Sequence, residues 1–142
     1  MTGEFHSPDS LLRALIASLV RYVLGPLLMI EALVTSVWIA RHLSGLMARD
    51  GVTIAVVAAR ALVGALALVS GMWLIERRPI AVATARLTLV ASAVLTTLEL
   101  GWRLAPSNLD PAWRWPVVAA SWIYALAWLI VLRRSTSAAR ES

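Results

Sequence analysis

Cysteine is absent from this chain of 142 residues, which excludes disulfides, thiolate nucleophiles and cysteine metal sites. Lysine is absent as well. All 13 basic residues are arginine, as a GC-rich genome would produce, and Schiff-base chemistry on a lysine amine is ruled out. Histidine occurs only as His6 and His42, one near the N-terminus and one in an expected loop, and no His/Cys cluster has metal-ligand spacing. There is no nucleophile elbow and no phosphate loop. The chain is therefore expected not to be an enzyme and to carry no cofactor or metal. Proton chemistry on two buried acids is the one catalytic route its composition leaves open.

What the chain has in excess is apolar length. Apolar residues make up 60% of it, and the mean hydropathy is +0.78. A soluble domain stays nearer half apolar, and here the excess is gathered into long runs, so hydrocarbon is the expected surroundings of most side chains. Four runs stand out, at residues 22–40, 54–75, 80–101 and 114–132. Each is about 20 residues, enough to cross ~30 Å of hydrocarbon at ~1.5 Å per residue, and each must be helical because lipid cannot satisfy bare backbone groups. The connections are short: 41–53, 76–79 and 102–113. Short connections make sequential helices antiparallel neighbours. The expected fold is all-α: an integral membrane four-helix up-down bundle, a single membrane domain over residues 1–142.

Ahead of the first run, Ser7-Pro8-Asp9-Ser10 reads as a helix start, with Ser7 as cap and Pro8 at the first helical position. The helix that follows is amphipathic, with Ser10, Arg13, Ala14, Ala17, Ser18 and Arg21 on one face. It either lies along the membrane interface or extends the first span. Gly25-Pro26 marks the junction. Pro26 has no amide hydrogen, so a kink is expected there. Glu4 and Asp9 precede the apolar part and no small-residue cleavage pattern follows it, so the first span is expected to be retained.

The net charge of +5 does not point to nucleic acid, because the arginines sit at the ends of apolar runs and not in one patch; the lipid bilayer is the expected partner. Arg13, Arg21, Arg77, Arg78, Arg133, Arg134 and Arg140 fall at one end of the spans, and Arg41, Arg49, Arg103 and Arg114 at the other. This bias places both termini in the cytoplasm. Trp38, Trp102, Trp113 and Trp115 then form an outer aromatic belt, and 106–111 an exposed turn.

The few polar groups inside the spans are the candidate site. A charge at mid-bilayer costs roughly 3 kcal/mol on insertion scales, so Glu31 needs a partner or a proton. Arg60 lies at the same depth in the next span, and a Glu31–Arg60 ion pair is the expectation. In span three, Thr84, Thr88, Ser92 and Thr96 recur every four residues, and Glu99 continues their face. Hydroxyls so placed bond their own helix or a neighbour, or line a polar groove. Arg86 lies on the opposite face and is expected to snorkel. Ala61, Gly64, Ala67 and Gly71 form a small-residue stripe for close helix approach. Trp122 lies too deep for the belt, and a hydroxyl of span three is the expected acceptor for its indole N–H.

The stretches GMWLIERRPIAVATARLTL and ASWIYALAWLIVLRRS resemble a family of small four-span bacterial membrane proteins of unknown function. That family places basic residues between spans two and three. It ends its last span with a tryptophan, a tyrosine three residues on and a serine seven residues on. Trp128 and Ser135 keep this spacing; Val131 stands at the tyrosine position, and STSAARES departs from the family's basic-aromatic end. The resemblance implies the four-span topology and no activity.

Three functions are compatible with these features. The first is an accessory or structural partner of a membrane complex. The second is a small transporter or ion/proton permeability protein, working as a homo-oligomer through Glu31, Arg60 and the hydroxyl stripe. The third is a lipid-modifying or lipid-binding protein using the Trp122–Trp128 face.

Overall fold

The structure, a computed structural model, describes residues 8–46, 50–102 and 109–140. His6, Ser7, Arg49, Arg103 and residues 106–108 lie outside the described residues, as do the side chains of His42 and Arg140. Among the described residues the chain is helical throughout and contains no strand. The helices are α1 (Pro8–Leu19), α2 (Gly25–Leu46), α3 (Gly51–Ile75), α4 (Ala81–Thr96) and α5 (Pro111–Arg140). A π-turn, Val20–Leu24, joins α1 to α2, and a second, Thr97–Gly101, extends α4. Four stretches are long and apolar enough to cross a membrane: Ser10–Arg41, Gly51–Ile75, Ala81–Gly101 and Pro111–Thr136.

The first stretch runs without a helical break for 32 residues, from α1 through the π-turn into α2. The departure from α geometry falls just ahead of Gly25-Pro26, and the Gly25 amide reaches back to the Val20 carbonyl. A proline ring clashes with the carbonyl four residues earlier in a regular helix, and the wider turn relieves that crowding.

Contacts fix the helix directions. Gly25 lies against Gly71 and Ile75, and Gly64 against Thr35, so α2 and α3 run antiparallel. Ser70 meets Thr88 while Arg60 meets Glu99, so α3 and α4 do too. Arg86 meets Leu132 and Thr136 while Thr97 meets Trp122, which reverses α5 against α4. α1 and its π-turn also touch α5.

Small residues set the closest approach. A Cβ added at Gly71 would lie 2.6 Å from the Gly25 carbonyl oxygen and 2.8 Å from Met29 Cγ. The backbones of α2 and α3 are therefore in contact there. Gly64, Ala67 and Gly71 of the expected stripe are buried, but Ala61 is exposed. The core continues through Leu24, Leu28 and Ala32 of α2, Leu74 of α3, Leu132 of α5, and the row Ala81, Ala85, Leu89 and Ala93 of α4. That row has a four-residue repeat and lies one position along from the hydroxyl stripe. Leucine, isoleucine and valine cover the outward faces; Leu33, Leu62 and Ile123 are each about two-thirds exposed, as suits contact with lipid.

Two aspartates set helix starts. Asp50 Oδ1 accepts from the Thr53 amide (3.1 Å), and Asp110 Oδ1 from the Ala112 amide (2.9 Å). The α3–α4 turn is closed by Arg78 N donating to Trp73 O (2.9 Å) and Arg77 N to Leu74 O (3.3 Å). This is the paired hydrogen-bond pattern of a helix end that normally carries glycine at the left-handed position. Here that position is Arg77, with φ 60°. A residue with a Cβ pays roughly 1–2 kcal/mol for this conformation. Pro79 follows and stops the helix.

Candidate functional site

The intramembrane polar groups come together on the α2, α3 and α4 faces of one cleft. Glu31, Val34, Thr35 and Trp38 line it from α2, Arg60 from α3, and Ser92, Thr96 and Glu99 from α4 and its π-turn; its volume is about 400 Å³. Ser92 and Thr96, the C-terminal half of the hydroxyl stripe, and Glu99 thus share one site with Glu31 and Arg60.

The partner of Arg60 is Glu99. Arg60 Nη2 lies 2.6 Å from Glu99 Oε2 and Nε 2.9 Å from Oε1, a two-pronged pair. Nη2 also donates to Thr96 Oγ1 (3.2 Å), and Nη1 approaches Ser92 Oγ at 3.5 Å. The side chains are 17% and 12% exposed. The guanidinium fork matches the carboxylate, and Thr96 takes the second Nη2 hydrogen.

This corrects the expected Glu31–Arg60 ion pair, which does not form. Glu31 lies on the same cleft, but its hydrogen bond comes from Ser92 Oγ, which donates to Glu31 Oε1. The physical reason is helix register. Gly64 lies against Thr35 and Gly71 against Gly25 and Met29, so Arg60 stands level with about Trp38, roughly two turns along α2 from Glu31. Ser70 opposite Thr88 puts Arg60 level with Glu99, and Glu31 is level with Ser92 instead. Counting inward from the ends of the apolar runs hides this, because α2 continues to Leu46, past the run that ends at residue 40.

The N-terminal half of the stripe serves the fold. Thr84 bonds the Ala81 carbonyl (3.0 Å) in its own helix. Thr88 bonds the Thr84 carbonyl (2.9 Å) and meets Ser70 of α3 at 3.1 Å, both side chains fully buried. Thr96 and Thr97 also bond carbonyls one turn back, and Thr97 Oγ1 accepts the Trp122 indole N–H at 3.0 Å. A span-three hydroxyl is thus the Trp122 partner. Arg86 Nη2 donates to the Leu132 carbonyl and Thr136 Oγ1, both at 3.0 Å, at the end of the fourth apolar stretch, and ties α4 to α5.

Glu31 also faces a second, smaller cavity of about 200 Å³, lined by Leu89, Ser92, Ala93, Ser121 and Tyr124. Glu31 and Ser92 are common to both cavities and form the wall between them. Ser70, Ser121 and Tyr124 were not singled out by sequence as members of the polar network. Ser70 was accessible to such reading: Arg60, Val63, Ala67, Ser70 and Leu74 alternate steps of three and four, the mark of one helix face. Ser121 and Tyr124 carry no comparable signal.

The cleft holds one guanidinium and two carboxyl groups. Glu99 balances Arg60, and Glu31 stands outside that ion pair. No family model, curated protein or solved structure matches the chain.

Proposed function

We propose that this chain is a small, non-catalytic, multi-pass protein of a bacterial inner membrane that moves protons or a small cation, with Glu31 as the exchanging group. Its four apolar helices would form an up-down bundle with both termini cytoplasmic, in keeping with the arginine bias and the antiparallel helix pairs. The observation that carries the reading is the position of Glu31. It is an acid in the middle of a spanning helix, it has no ion-pair partner among the described residues, and it forms the wall between two cavities. Intramembrane acids of this kind mark ion and proton paths. The neighbouring Arg60–Glu99 pair is electrically neutral. Four helices leave little room for a pore, so a homo-oligomer is the working form.

The test is flux in proteoliposomes under an imposed pH gradient, read with a trapped pH dye. Wild-type protein should dissipate the gradient. Glu31→Gln should abolish most of the flux, and Glu31→Asp should keep part of it. Dissipation no faster than in empty vesicles, under proton, sodium and potassium gradients alike, sinks the proposal.

A second reading, an accessory partner of a membrane complex, draws on α5. Its membrane-crossing window is the least buried of the four, and Ile123, Leu126 and Ile130 lie exposed on it, ready for a partner helix. Native mass spectrometry after gentle extraction separates the two readings: a chain that emerges only with itself favours transport.

A further inference from the structure

At the other end of the bundle, away from Glu31, the α3–α4 turn meets α1, its π-turn and the end of α5 around a cleft of about 640 Å³. Arg21, Arg77 and Arg78 line it, above an apolar floor that includes Ala14, Leu74 and Val82. The arginines are unequally satisfied. Arg78 Nε is held by the exposed Glu76 at 3.0 Å. Arg77 forms no ion pair among the described residues. Arg21 stacks its guanidinium 5.0 Å from the Tyr22 ring centroid, and its Nε is shut off from solvent with no hydrogen-bond partner. A buried donor without an acceptor is costly and rare. Arg77 adds a second anomaly. It occupies the left-handed position of the turn, where glycine is free of strain, and so presents a guanidinium to the cleft at the expense of its backbone.

We propose that this cleft is a binding site for an anionic phospholipid, with the headgroup phosphate on Arg21 and Arg77 and an acyl chain along the Ala14, Leu74 and Val82 floor. The phosphate balances the charge that Glu76 leaves uncompensated on the arginines lining the cleft. The apolar floor selects a lipid over free phosphate, because a bare anion would leave that floor against water. The site shares no residue with the Glu31 cleft and does not depend on the transport reading.

The probes are dioleoyl phosphatidylglycerol, dioleoyl phosphatidylcholine and inorganic phosphate, each added to the full chain in detergent micelles. Bound lipid is counted by native mass spectrometry, and unfolding temperature is followed alongside. Phosphatidylglycerol should be retained under activation that strips phosphatidylcholine, and it alone should raise the unfolding temperature. Arg21→Gln should lower retention about fivefold, the effect of one basic residue at a membrane surface. The sharper variant is Arg77→Gly, which removes backbone strain together with the charge. It should raise the unfolding temperature of lipid-free protein while lowering phosphatidylglycerol retention about as much as Arg21→Gln. Equal retention of the two lipids overturns the site, as does a thermal shift reproduced by phosphate alone. So does unchanged retention in Arg77→Gly, or an equal loss on Arg134→Gln, an exposed arginine that lines no part of the cleft.

Discussion

Removing Glu99 leaves the Arg60 guanidinium inside the helix bundle with only hydroxyl acceptors. Both side chains are less than one-fifth exposed, at 17% and 12%, so solvent screens the loss weakly. Breaking a buried pair from one side costs about 3–5 kcal/mol, chiefly because the surviving charge is uncompensated. Thr96 at 3.2 Å remains as an acceptor, while Ser92 at 3.5 Å contributes little. Glu99→Gln keeps the shape and one acceptor oxygen, so the low end, about 3 kcal/mol, is the expected destabilisation. Arg60→Met should cost a similar amount by stranding Glu99. The double variant Arg60→Met/Glu99→Met removes both charges and should recover most of the loss, since apolar replacement of a whole buried pair is near neutral or better. Glu31→Gln, which touches no ion pair, should cost under about 1 kcal/mol. Steric-trap unfolding in bicelles gives these free energies directly. The reasoning fails if Glu99→Gln is neutral while Glu31→Gln is costly, because Arg60 would then belong to Glu31.

Two further outcomes concern the helix seams. Gly71→Ala would place a methyl 2.6 Å from the Gly25 carbonyl oxygen, forcing the α2 and α3 backbones apart at a cost of about 1–3 kcal/mol, whereas Gly64→Ala meets only the Thr35 methyl at 3.1 Å and should cost clearly less; the same unfolding assay ranks them. Ser70→Ala and Thr88→Val each remove one side of a fully buried hydroxyl pair at 3.1 Å, and a double-mutant cycle should give a coupling near 0.6 kcal/mol, with additivity counting against the contact.

The sequence alone determined the solvent. Runs of about 20 apolar residues with helical spacing leave no alternative to helices long enough for a bilayer, and loop lengths set which helices are neighbours. It also determined which polar residues would matter, because charges and hydroxyls within such runs are few: Glu31, Arg60, Ser92, Thr96 and Glu99 all meet at one cleft. Tertiary structure decided the pairing among them. Residue counting places a side chain along its own helix, but comparing two helices needs their register, which counting from the ends of apolar runs does not supply. Which carboxylate an arginine reaches depends on that register, set by contacts such as Gly64 on Thr35 and Ser70 on Thr88, and on the π-turn that carries Glu99. The same holds for the cleft around Arg21. Arg21 stands far from Arg77 and Arg78 in the chain, and only the packing of α1 and α5 about the α3–α4 turn brings it beside them.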